Sequence, residues 1–241
     1  MTPKNRIWEL DAARGFCILG MITVHFIFDL TELYPIVHLK SPSFFLLVKN
    51  WGGIAFFLIS GICVTLGQHH LRRGAIVFGC AVLVSTVSVL AGFAPIRFGV
   101  LHCLGLCMLC WAFFKCTPVG MLGSFGCLFA VLGLVFARIT VAAPYLYPLG
   151  LIAPGFESAD YFPLLPYLGY FLLGACLGRT LYRSRRSLFP NFSIDNPIIR
   201  LLRFCGRHSL PLYLIHQPVL IFLIEAAIST GGIFHEAYHQ S

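Results

Sequence analysis

The chain has 241 residues, 58% of them hydrophobic and 11% charged, and its mean hydropathy is +0.85. A soluble domain is usually about 45–50% apolar and about 25% charged, so this composition excludes one and implies a lipid environment. The formal net charge of +8 would suit nucleic acid, but the placement of the basic residues follows a membrane instead, which excludes nucleic acid as a partner.

The fold expected is an all-α integral membrane bundle of about seven transmembrane helices, each needing roughly 20 apolar residues. They form a single domain over 1–241. The first span is predicted over 12–33, with Arg6, Asp11 and Arg14 at its inner end. Residues 3–28 have the basic start and apolar stretch of a signal peptide. Asp29 and Glu32 follow, however, and no small-residue cleavage site does, so a retained span is expected. Residues 34–49 are predicted as an outer loop carrying His38. Span 2 (50–67) opens on Trp51-Gly52-Gly53 and closes before His69, His70, Arg72 and Arg73. Span 3 covers 74–92 and span 4 covers 98–115, with Pro118 breaking the helix behind it. Span 5 (119–138) leads into a loop rich in Pro, Gly and aromatic residues. Span 6 (163–181) carries Gly174-x-x-x-Gly178, a spacing that favours close helix approach. A basic linker (182–207) precedes span 7 (209–229).

Orientation follows from Lys and Arg. With the N-terminus in the cytoplasm, Lys4, Arg6, Arg14, Arg72, Arg73, Lys115, Arg179, Arg183, Arg185, Arg186, Arg200, Arg203 and Arg207 lie inside. Only Lys40, Lys49, Arg97 and Arg138 lie outside, 13 against 4. This predicts a multi-pass plasma-membrane protein with its C-terminus outside. It also disfavours a seven-helix receptor or rhodopsin, whose polarity is opposite, and span 7 has no Lys to hold retinal.

His25 and Asp29 are the polar residues that composition explains least. Four residues apart on a helix, they share one face, and ionisable groups inside a span mark a functional site by default. At 1.5 Å rise per residue, His25 lies roughly 16 Å and Asp29 roughly 22 Å from Arg14, at and beyond the midplane of a core about 30 Å thick. Arg97 falls at the outer mouth of span 4 with His102 deeper, and Asp160 and Tyr161 at the outer entrance of span 6; Arg97, His102 and Asp160 could converge with the pair. His216 and Gln217 lie about two turns into span 7, just before Pro218.

A carboxylate bonded to one ring nitrogen of a histidine fixes its tautomer and raises the basicity of the other. His25, braced by Asp29, then serves as general base or as a nucleophile carrying an acyl group. His102 is a second acid or base, or else a satisfied interior histidine. Arg14, paired with Asp11 on the span itself, and the inner Arg72, Arg73 and Arg207 are candidates for phosphate recognition, where the guanidinium fork binds oxygens bidentately. The bland reading of these arginines is that they set topology. Proton relay by the His25–Asp29 pair in a proton-coupled transporter is the alternative function, and a non-catalytic scaffold is a third; an odd number of spans and no inverted repeat count against the transporter. Cys103, Cys107 and Cys110 share a helical stripe, but in an apolar span they read as small hydrophobes, and no metal site is expected.

Taken together, RIWELDAARG…MITVHFIFDL, FFLISG, RFGVLH, PGFESADYFPLLPYLGYFLLG and GRHSLPLYLIHQP resemble the heparan-alpha-glucosaminide N-acetyltransferase catalytic-domain family, within the transmembrane acyltransferase superfamily; the chain looks like a small bacterial member. The resemblance runs in order through residues 6–224. It implies an acetyl group taken from cytoplasmic acetyl-CoA and delivered to an extracytoplasmic sugar, glycan or cell-envelope acceptor. His25, Asp29 and His102 would be catalytic. Arg14, Arg72, Arg73, Arg207, His216 and Gln217 would hold the donor, and Arg97, Asp160, Tyr161 and His38 the acceptor. His25 fills the histidine slot of the bacterial pattern, while His38 lies closer to where the lysosomal enzyme's histidine would fall. The chain lacks the additional spans and luminal domain of that enzyme, so an acceptor other than heparan sulfate is expected. A homodimer is compatible with this reading.

Overall fold

A computed structural model of the chain describes residues 6–34, 42–192 and 194–230, with side chains placed except at 32 and 42–50. Every regular element among the described residues is helical: α1 (Trp8–Phe28), α2 (Pro42–Leu66), α3 (His70–Leu90), α4 (Val100–Phe114), α5 (Val119–Phe136), α6 (Leu164–Leu181), α7 (Pro197–Arg207) and α8 (Ser209–Ser229). Five of them, α1, α3, α5, α6 and α8, are long and apolar enough to cross a membrane. The apolar part of α2 (Trp51–Leu66) and the 15-residue α4 are shorter. Large apolar side chains stand exposed along these helices, among them Phe16, Leu83, Leu90, Phe113, Val131 and Phe222. So large an exposed apolar surface suits contact with lipid tails.

Two boundaries differ from expectation. The loop predicted over 34–49 is helical from Pro42 onward, because proline is tolerated at a first helical position and an apolar run follows it. The basic linker predicted over 182–207 contains α7. Asn196 caps this helix by accepting the Ile198 N–H at 2.8 Å, and Pro197 supplies its first turn.

The described residues divide into two compact units, one of 54–192 with Arg6 and Ile7, the other of 8–34, 42–53 and 194–230. In the first, α6 is the hub. Gly174 and Gly178 face Leu58, Ile62 and Thr65 of α2, while Gly61 of α2 faces Phe171 and Ala175. On its other side, Gly169 faces Gly126 and Ala130 of α5. Small residues let the backbones approach, which is how helices associate where lipid removes the hydrophobic driving force. Phe57, Cys103, Leu122, Phe171 and Leu172 are fully buried there.

In the second unit α7 packs on α1, and α8 follows after His208. The last turn of α1 widens into a π-helical turn, Asp29–Leu33, closed by the Tyr34 N–H on the Asp29 carbonyl at 2.7 Å. Such turns recur at functional sites.

Candidate functional site

The second unit holds the more chemically capable cluster. The rings of His25 on α1 and His216 on α8 lie edge to edge, with centroids 4.9 Å apart and planes 15° from parallel. The His25 Nδ1 lies 2.7 Å from the His216 Nε2, and the His216 Nδ1 lies 2.6 Å from the Tyr213 carbonyl oxygen. One turn beyond His25, Asp29 is 1% exposed, so its carboxylate depends on protein partners. The Gln217 Nε2 donates to both of its oxygens, at 2.9 and 3.0 Å. Each member of the predicted pair thus has a partner on α8, and those partners are adjacent in sequence. The expected bond from His25 to Asp29 is replaced by these two. His216 and Gln217, read from sequence as donor contacts, stand against His25 and Asp29.

The inner end of α1 differs from expectation in a second way. Asp11 does not pair with Arg14 on its own helix. It accepts from the Arg207 Nε of α7 at 3.3 Å, while an Arg14 amino group donates to the Ser209 hydroxyl at 3.1 Å. The cause is the packing of α7 on α1, which brings Arg207 to Asp11. The Nε atoms of Arg14 and Arg203 are buried with no hydrogen-bond partner.

In the first unit, Arg97, His102, Asp160 and Tyr161 gather where the segment before α4 meets the loop before α6. The Asp160 carboxylate accepts the Val100 N–H at 2.9 Å, and the buried His102 Nδ1 accepts the Gly99 N–H at 3.3 Å. Both groups therefore satisfy donors that the helix start leaves open. The Phe98 ring stacks on His102 and the Phe78 ring meets it edge-on. Arg97 donates through Nε to the Glu157 carbonyl at 3.0 Å, and its guanidinium sits 5.9 Å from the Phe156 ring centroid. Tyr161 donates to the Tyr147 carbonyl at 2.7 Å, and burial pushes its pKa up to about 12. It is therefore a neutral donor at physiological pH. These contacts tie loop to loop and close the start of α4; they give His102 and Asp160 a structural task.

Arg72 and Arg73 are exposed in the first turn of α3. His38 lies outside the described residues. Sequence reasoning missed Ser209 and the Tyr213 carbonyl. A hydroxyl directly after Gly-Arg-His gave a faint signal for the first, whereas nothing in a sequence marks which backbone carbonyl will orient a ring.

The family model for the catalytic domain of heparan-alpha-glucosaminide N-acetyltransferase matches residues 6–218. Since that match covers most of the chain, the chain belongs to this family. It is therefore a multi-pass membrane protein of transmembrane acetyltransferase type. No curated protein and no solved structure matches it.

Proposed function

We propose that the chain moves an acetyl group from cytoplasmic acetyl-CoA to a sugar, glycan or other envelope acceptor on the far side of the plasma membrane. The bundle then has seven spans, with α2 and α4 completing the five long ones, the N-terminus in the cytoplasm and the C-terminus outside. The positive-inside count supports that orientation.

His25 is the general base. Its Nε2 takes the proton of an acceptor hydroxyl or amine as that atom bonds to the thioester carbonyl carbon. The carbon–sulfur bond breaks, and the proton returns to the departing thiolate. An imidazole is suited to this because its pKa lies near working pH. Asp29, one turn away, places a carboxylate beside the imidazolium that forms. Arg14 and Arg207 serve the donor's phosphates, with Arg14 at the inner end of the same helix that carries His25. The single observation that carries this reading is the His25 imidazole held between α1 and α8 by a hydrogen-bonded partner, in a chain of this family.

The test is His25→Ala. Membrane vesicles carrying the parent chain transfer label from radioactive acetyl-CoA to the envelope fraction. The variant, folded as judged by its melting temperature, transfers none. Full transfer by the variant refutes the assignment.

A further inference from the structure

We infer that His216 is a positioning residue that sets the tautomer of His25 through an imidazole–imidazole relay anchored on the Tyr213 carbonyl. This rests on the reading of His25 as the base.

The polarity of the relay follows from its far end. A carbonyl oxygen only accepts, so the His216 nitrogen 2.6 Å from the Tyr213 oxygen, Nδ1, must carry the proton. In a neutral imidazole the other nitrogen is then an acceptor. The His216 Nε2 therefore receives a proton bond, and the group 2.7 Å away that supplies it is the His25 Nδ1. With Nδ1 protonated, the lone pair of neutral His25 resides on Nε2. No other arrangement of protons satisfies both contacts while the rings are neutral. The sense is that of a serine-hydrolase triad, in which the hydrogen bond at Nδ1 leaves Nε2 as the base, with a second imidazole replacing the carboxylate.

Two features hold His216 in this role. It is buried, and its anchor lies three residues back on its own helix, so the ring is fixed to α8 rather than to a mobile loop. The two rings meet edge to edge in nearly parallel planes, which keeps the bond between them in plane and restricts the remaining freedom of both side chains. Its neighbour Gln217 meanwhile fixes Asp29. The pair His216-Gln217 on α8 thus orders the pair His25–Asp29 on α1, one partner for each.

The experiment uses the full chain in detergent with histidine labelled by nitrogen-15, and reads the tautomer of His25 directly by NMR. His25→Ala identifies its resonances. In the parent, His25 is the Nδ1–H form with an unprotonated Nε2. His216→Leu, which offers no acceptor, shifts His25 toward the Nε2–H form. His216→Gln, whose side-chain oxygen can accept from the His25 Nδ1–H, restores the parent tautomer. In the transfer assay, His216→Leu lowers kcat by at least about tenfold, short of the roughly 10²–10⁴-fold that a general base supplies, with KM for acetyl-CoA unchanged. His216→Gln recovers most of that loss. An Nε2–H form of His25 in the parent overturns the inference, and so does a tautomer unmoved by His216→Leu. Full transfer by His25→Ala defeats the reading of the base itself, which the NMR result does not touch.

Discussion

Gly15 of α1 and Gly206 of α7 meet backbone to backbone: a Cβ added to either would stand 3.0 Å from the amide nitrogen of the other, and nearer still to a carbonyl oxygen, that of Leu202 for Gly15 and of Asp11 for Gly206. Neither carbonyl belongs to a flexible side chain that could swing away. Gly15→Ala and Gly206→Ala are each expected to cost about 1–3 kcal/mol through forced separation of the helices, read as a lower melting temperature in detergent. Gly20→Ala is the control, since nothing lies within 4 Å of its added Cβ. There the usual helix preference for alanine predicts an unchanged or higher melting temperature.

The same junction presents the buried, unpartnered Nε atoms of Arg14 and Arg203. If these guanidinium groups serve the donor's phosphates, removing one removes a charged hydrogen bond worth about 1.5–3 kcal/mol. That bond is made equally in the ground and transition states. Arg14→Gln should therefore raise KM for acetyl-CoA by about tenfold or more while leaving kcat unchanged. An unchanged KM would confine Arg14 to its bond with Ser209.

Much of this arrangement was legible in the sequence, for a physical reason. Lipid demands long apolar helices, so span existence is written in hydropathy, and α1, α3, α5, α6 and α8 start and stop within a few residues of their predicted ends. Gly174 and Gly178 were readable as a contact face because small residues at that spacing leave no other use for the face. What stayed hidden is what depends on partner choice between distant segments. Asp11 had Arg14 one turn away, yet the packing of α7 delivers Arg207 to it. His25 had Asp29 one turn away, yet α8 supplies a hydrogen-bonding partner for each. A sequence states which residues share a helical face; it does not state which of two competing partners the packing will bring within hydrogen-bonding reach.

Tyr161 provides a pH-dependent test in the first unit. Burial, with a smaller contribution from the nearby Cys103, raises its pKa from an ordinary 10 to about 12. A raised acid contributes stability that is fully present below its unfolded value and is lost as pH climbs through the folded one. The parent is therefore expected to lose stability between pH about 10 and about 12. Tyr161→Phe cannot ionise and lacks the bond to the Tyr147 carbonyl. It should be less stable at neutral pH by about 1 kcal/mol and show a flatter decline over that alkaline window. Melting temperatures measured across it, alongside phenolate absorbance, decide the matter.

Asp29 and Gln217 make the last prediction. A carboxylate 1% exposed is tolerable only when its oxygens are satisfied, and the Gln217 amide supplies a donor to both. Gln217→Leu leaves that carboxylate without its side-chain partner. Asp29→Leu leaves a polar amide without its acceptor. Together the two substitutions remove the need for either. A double-mutant cycle on melting free energy should therefore give a coupling of about 1–2 kcal/mol, in the upper range for hydrogen bonds between membrane helices because one partner can carry charge. Activity divides differently. Every variant lacking Asp29 loses the carboxylate beside the imidazolium that forms on His25, so the double variant should recover stability without recovering kcat. Recovery of both would make Asp29 a packing residue and leave the chemistry to the two histidines alone.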